Sequence, residues 1–144
     1  MNKQQKLEHL YMDIAARVAE QSYAIRLKVG AIIVKDDNII SMGWNGMPAG
    51  MPNVCEELVD GQLITNPQCL HSESNALMKL ARRGGIGAEN ATIYTTFSPC
   101  IECSKLIKQA GIKRVVYRDE YRLTDGIDML KSLNVEVSKL GDDE

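Results

Sequence analysis

The 144-residue chain is 44% hydrophobic, has a net charge of -2 and an isoelectric point near 5.7. Its length fits one domain spanning residues 1–144, and its mild acidity excludes an electrostatic footprint for long nucleic acid. No apolar stretch reaches bilayer-spanning length and the polar start at Met1 to Leu10 is no secretory signal, so the expected compartment is the cytoplasm, with no membrane partner.

The first helix is expected from about Lys3 to Ser22. Leu7, Leu10, Tyr11, Ile14, Ala15 and Val18 recur at spacings of three and four and mark its packing stripe. Val29 to Val34 reads as a strand, Asp36 to Asn38 as a turn, and Ile39 to Gly43 as the antiparallel partner. Asn45 to Pro67, rich in glycine and proline, lacks periodicity and is expected to be a functional loop. A helix resumes near Ser72 and stops at Gly84-Gly85. Ala91 to Thr96 is a strand, Ile101 to Ala110 a helix, Lys113 to Tyr117 a strand, Asp125 to Leu133 a helix, and Val135 to Val137 the last strand. The Gly141–Glu144 end is expected to be disordered. Strands separated by helices imply parallel crossovers, with helices on both faces of the sheet.

The chemistry lies in His71-Ser72-Glu73 and Pro99-Cys100-Ile101-Glu102-Cys103. These supply one imidazole and two thiolates for a metal, and leave a coordination position open for water. Pro99 restrains Ser98 from helical geometry. A helix starting near Cys100 puts Cys100 and Cys103 on one face, with its dipole favouring thiolates. Cys69 lies two residues before His71, so a closed structural site of Cys69, His71, Cys100 and Cys103 stays open as an alternative, as does a redox cysteine pair.

This pattern resembles the zinc-dependent nucleoside and nucleotide deaminases, in which H-x-E is followed by P-C-x-x-C. The resemblance implies a three-layer α-β-α cytidine deaminase-like fold, of the α/β class, with a five-stranded mixed sheet whose last two strands run parallel. It implies one catalytic Zn2+ held by His71, Cys100 and Cys103. Glu73 would be the catalytic carboxylate, taking a proton from the attacking water to the pyrimidine N3 and then relaying one to the departing amine.

A second stretch, Gly43-Trp44-Asn45-Gly46-Met47-Pro48-Ala49-Gly50, is similar to the G-Y-N-G-x-P-x-G segment of deoxycytidylate deaminases, with tryptophan at the usual tyrosine position. Similarity also runs through the first helix, Val29 to Val34 and Asp119-Glu120-Tyr121. It implies conversion of dCMP to dUMP for thymidylate synthesis, in a homo-hexamer activated by dCTP and inhibited by dTTP; a triphosphate effector would bring Mg2+. Asn45 would reach the deoxyribose and phosphate region, or simply serve the turn before Gly46. Trp44, Asn45, Gly46 and Gly50 are candidate effector contacts, with Trp44 equally suited to packing beside the sheet.

Arg26 matches a basic position of that family, and alternation would turn Arg26 and Lys28 to the same side as candidate phosphate contacts, with simple solvation the alternative for either. Tyr121 lies beyond the C-terminal end of a parallel strand and is the candidate for stacking on the base; Ser98 is a candidate for the pyrimidine edge. Cys55 matches a loop cysteine that serves an auxiliary zinc site in some members. Here it has only Cys69 and the distant His9 beside it, so Cys55 and Cys69 read as an incomplete metal site or as core thiols. Other nucleobase deaminases, acting on free cytidine or a transfer-RNA adenosine, and a zinc-stapled interaction domain are the alternatives.

Overall fold

In the computed structural model, which describes residues 1–141, Asn2 caps the first helix, α1 (Lys3–Ala19), by a reciprocal box with Gln5. The expectation for the Gly141–Glu144 end falls, beyond Gly141, outside the described residues. α1 stops at Ala19, short of Ser22, whose hydroxyl accepts from the Ala24 amide and donates to the Asn45 carbonyl. That pair of bonds holds the chain in a turn where the apolar spacing alone suggested more helix.

β1 (Gly30–Lys35) and β2 (Asn38–Trp44) form the expected antiparallel hairpin, turning through Asp36 and Asp37 at positive φ. α2 (Ser72–Arg83), β5 (Thr92–Phe97), α3 (Ile101–Gln109), β6 (Arg114–Asp119), α4 (Asp125–Ser132) and β7 (Glu136–Lys139) follow. The large sheet has the order β2-β1-β5-β6-β7; β1 meets β5 antiparallel, and β5, β6 and β7 run parallel. This is the five-stranded mixed sheet with parallel last strands that the resemblance implied.

Strand alternation divides the core in two. Ala31, Ile33, Ile93 and Val115 face α2, α3 and α4, where Leu77, Leu80, Ile107 and Leu130 bury. Ile32, Val34, Tyr94 and Val116 face α1, against Tyr11, Met12, Ala15 and Val18. Helices therefore cover both faces, three on the first and α1 alone on the second.

The Asn45–Pro67 stretch is not a structureless loop. It contains a second antiparallel hairpin, β3 (Glu56–Val59) and β4 (Gln62–Thr65), turning on Asp60-Gly61 with both residues at positive φ. An Asp-Gly pair between two short extended runs is a strong hairpin signal, and it was legible in the sequence. The alternation there is blurred because most of the hairpin is exposed, so no buried apolar face marks the strands. Gly46 and Leu70 close the excursion at its base, exchanging both main-chain hydrogen bonds at 3.0 and 2.8 Å.

Candidate active site

Two helix starts meet at the sheet's C-terminal edge. His71 is the N-cap of α2 and Cys100 the N-cap of α3, each with extended backbone, and Cys103 lies within the first turn of α3. Neither cap spends its side chain on its own helix, so both remain available to a ligand. The His71 Nδ1 atom lies 3.4 Å from Cys100 Sγ and 3.3 Å from Cys103 Sγ. The three donor atoms lie within 4.8 Å of one another, which matches the reach of a single zinc ion with Zn–S bonds of about 2.3 Å.

The glycines explain how the helices come so close. A Cβ on Gly43 of β2 would run into the Ser72 carbonyl and the Ala76 amide, so only glycine lets α2 settle on the sheet there. Asn75 then ties α2 to β2, donating from Nδ2 to the Trp44 carbonyl at 2.8 Å. The N-terminal end of α2 is thereby fixed relative to the first hairpin.

Electrostatically the cluster favours thiolate. The Cys100 thiol is pushed down to about 3, first by the hydrogen bond from Cys103 and further by His71. The same pairing, followed by burial, pushes Cys103 up, and the His71 imidazole is held above its ordinary value chiefly by its bond to Cys100. A dication replaces the shared proton of such a pair and takes both sulfurs as thiolates.

Glu73, in the first turn of α2, is 4% exposed, and Ser72 Oγ donates to its Oε1 at 2.5 Å. Burial pushes its carboxyl above the ordinary range, only partly offset by the Ser72 bond. It lines a cavity of about 240 Å³ together with His71, Cys100, Ser72, Arg26, Leu27, Val29, Asn45, Glu56, Thr65, Cys55, Cys69 and Tyr121. Two of the three candidate metal donors, a buried carboxylate and a cationic side chain thus share one concave space.

Cys69 is not a fourth member of the metal cluster. Among the described residues the cluster is His71, Cys100 and Cys103, while burial and the neighbouring Cys55 push the Cys69 thiol up to about 12. Cys55 is buried, and both are free thiols that line the cavity. Three protein donors are the number a catalytic zinc site supplies, one short of a closed structural site.

The remaining sequence candidates separate. Arg26 lines the cavity and donates from Nη1 to Thr65 Oγ1 at 3.2 Å, whereas Lys28 is exposed and lies outside the lining. The backbone bends at Ile25 and Arg26 before β1 begins, so the strand parity used to pair the two does not apply. Asn45 lines the cavity, but its carboxamide braces the main chain, donating to Leu27 O at 2.8 Å and accepting from Val29 N at 2.9 Å. Among the described residues one N–H and one lone pair of this carboxamide stay free. Tyr121 reaches the cavity with its ring 5.3 Å from that of Phe97, and burial pushes its hydroxyl up to about 12. Ser98 is buried, and its hydroxyl accepts from the Tyr121 amide at 2.9 Å, a bond that aims the segment carrying the ring.

Trp44, Asn45 and Gly46 also line a second cleft of about 490 Å³ with Tyr23, Met47, Pro48, Asn75, Met78, Lys79 and Arg82; Gly50 lies outside it. Lys79 Nζ sits 4.5 Å from the centre of the Trp44 ring. Sequence reasoning passed over Lys79 and Arg82, although with Asn75 and Met78 they fall at helical spacing on one face of α2. It also passed over Glu56 and Thr65, because the hairpin carrying them went unrecognised.

Comparison with known proteins agrees with this geometry. Residues 5–119 match the family described as the cytidine and deoxycytidylate deaminase zinc-binding region. The chain is 32% identical to the deoxycytidylate deaminase of Enterobacteria phage T4, covering 88% of this chain and 86% of that one. It is 37% identical to the deoxycytidylate deaminase of Mycobacterium phage D29, over 78% of this chain and 94% of that one. Among solved structures it resembles the dCMP deaminase of cyanophage S-TIM5 in complex with dCMP and dUMP, with a TM-score of 0.87 and 47% identity over 96% and 98% of the two chains. With its H-x-E and P-C-x-x-C residues gathered at two adjoining helix starts on this sheet, the chain belongs to the cytidine and deoxycytidylate deaminase family.

Proposed function

We propose that the chain deaminates dCMP hydrolytically to dUMP and ammonia. The observation that carries the reading is the placement of buried Glu73 on the same cavity as His71 and Cys100, whose donor atoms cluster with that of Cys103. The names of the T4, D29 and S-TIM5 relatives support dCMP as the substrate.

His71, Cys100 and Cys103 would hold the zinc ion, which when bound acidifies a water molecule and supplies it as a nucleophile near neutral pH. Glu73 accepts one proton from that water and delivers it to the pyrimidine N3 as the C4–O bond forms. It then moves the remaining hydroxyl proton to the amine, the C4–N bond breaks, and ammonia leaves behind a C4 carbonyl. Burial suits Glu73 to this work, since raising its affinity for a proton brings it closer to the proton donors and acceptors it serves.

Arg26, on the lining of the cavity, is the phosphate contact in this reading, by charge-assisted hydrogen bonds with Thr65 steadying its guanidinium. The Tyr121 ring packs on the base. The free N–H of Asn45 serves the sugar, and Ser98 acts through the Tyr121 segment. Lys28 contributes at longer range.

Regulation is proposed at the second cleft. Lys79 and Arg82 give it two cations beside the Trp44 ring, a combination that suits a nucleoside triphosphate with its Mg2+. dCTP would favour the active population and dTTP the less active one, within a cytoplasmic homo-hexamer that supplies dUMP for thymidylate synthesis. No helix among the described residues is long and apolar enough to cross a membrane.

The test is a substrate panel read by ammonia release. dCMP is expected to exceed deoxycytidine, cytidine monophosphate, dCTP and a transfer-RNA substrate in kcat/KM. Equal efficiency on dCMP and deoxycytidine would reject a monophosphate pocket. Light scattering with and without each triphosphate tests the assembly.

A further inference from the structure

Glu56 opens β3 as an apparently ordinary hairpin acid, yet it is 7% exposed. Its carboxylate turns to the bend before β1. Oε2 accepts from the Ile25 amide and from the Arg26 amide, each at 2.9 Å, and Oε1 lies 3.1 Å from the Ile25 amide. Among the described residues no lysine, arginine or histidine pairs with it. A carboxylate buried without a cation is expensive unless N–H donors replace its water, and here the donors are two successive main-chain groups of one bend.

The second strand of the same hairpin supplies Thr65, which lies opposite Glu56 in the register and accepts from Arg26 Nη1. One cross-strand pair therefore holds Arg26 twice, by its backbone and by its side chain. Arg26 is otherwise exposed, and its bend has no ladder hydrogen bonds to fix it. The hairpin thus supplies the constraint that the bend lacks.

We propose that Glu56 is a positioning residue for substrate selection, setting Arg26 at the distance and angle at which it meets the substrate's phosphate. The inference rests on the reading of Arg26 as the phosphate contact. Glu56 does not touch the phosphate itself, since a carboxylate facing a phosphate would repel it; its oxygens point at the amides instead. Its effect should appear only with substrates that carry the phosphate, and in KM more than kcat, because the phosphate is held alike before and during the chemical step.

The experiment compares kcat/KM for dCMP and for deoxycytidine in the zinc-loaded wild type, Glu56→Gln, Glu56→Ala, Arg26→Ala and the Arg26→Ala/Glu56→Ala double variant. Glu56→Ala is expected to lower the dCMP-to-deoxycytidine ratio by about 10-fold, as loss of a hydrogen bond to a charged group does, with deoxycytidine turnover unchanged. Glu56→Gln keeps one acceptor and is expected to fall between, which preserves the test if Glu56→Ala does not fold. In the Arg26→Ala background the second substitution should add nothing further.

A ratio kept at the wild-type value in both Glu56 variants would overturn the inference, as would equal losses on the two substrates or additive losses in the double variant. If wild type shows no preference for dCMP, or Arg26→Ala leaves that preference intact, the phosphate reading itself fails and the role of Glu56 falls with it. The Arg26→Ala measurement therefore distinguishes the two failures.

Discussion

Gly126 in the first turn of α4 sits directly against the carbonyl of Pro99, the residue that leads into the two cysteines. A Cβ at Gly126 would meet that oxygen, the Ser104 hydroxyl at 2.7 Å and the Cys100 carbonyl carbon at 2.8 Å. In an unobstructed helix, Gly→Ala stabilises by about 1 kcal/mol. Here the sign is expected to reverse: Gly126→Ala should destabilise by about 1–3 kcal/mol through overpacking, lowering Tm by roughly 3–10 °C and loosening zinc. Thermal melts with zinc stoichiometry check this. A Tm at or above wild type would show that the Pro99–Cys100 segment yields freely.

Glu73→Gln is expected to fold, retain zinc and lose turnover by at least about 100-fold, the scale of general acid–base catalysis. Its amide keeps the shape of the buried side chain and loses the proton relay. Cys100→Ser and Cys103→Ser are expected to lose zinc instead, with part of the folded population. Metal content and turnover measured together on the three proteins separate ligand from proton carrier; substantial Glu73→Gln activity would defeat the relay.

The second cleft is tested at Lys79 and Arg82. Replacing both by alanine is expected to leave basal dCMP turnover intact while removing the opposite shifts that dCTP and dTTP produce in substrate titrations. Each phosphate-bound cation is a charge-assisted contact worth about 1.5–3 kcal/mol, so effector affinity should fall at least about 10-fold per residue. Wild-type responses persisting in the double variant would move the effector site elsewhere.

Alkaline pH should unfold the protein through its buried tyrosines. Burial pushes the Tyr94 hydroxyl up to about 12 from an ordinary value near 10. Between these values the unfolded chain has already released a proton that the folded chain retains. Stability is thus fully present below pH 10 and is lost as pH rises towards 12. In Tyr94→Phe the fall of the denaturation midpoint across this interval is expected to be shallower. An unchanged slope would assign the loss to other groups.

The parts of the site readable in the sequence are those fixed by helix starts. His71, Glu73, Cys100 and Cys103 carry their spacing within single turns, so local geometry brings each pair together, and the alternating strands and helices supply the sheet between them. What escaped depends on contacts distant in sequence. Glu56 resembles any surface acid until the hairpin turns it towards Ile25 and Arg26. Alternation turned Arg26 and Lys28 to the same side because parity assumes a straight strand, and the backbone bends there. Cys69 could be separated from the metal cluster only by seeing which neighbour it meets.

The reciprocal bonds between Gly46 and Leu70 give the excursion that carries β3 and β4 a closed neck. Chain inserted beyond the neck need not move His71, which follows Leu70 directly. Its entropic cost is also modest, since doubling a flexible loop costs only about 0.6 kcal/mol. The neck therefore works as an insulated socket: the His71, Cys100 and Cys103 donors stay on the sheet side, and the module plugged into it can lengthen, shrink or exchange the side chains it sends to the cavity. Substrate range in such a scaffold can drift without renegotiating the reaction.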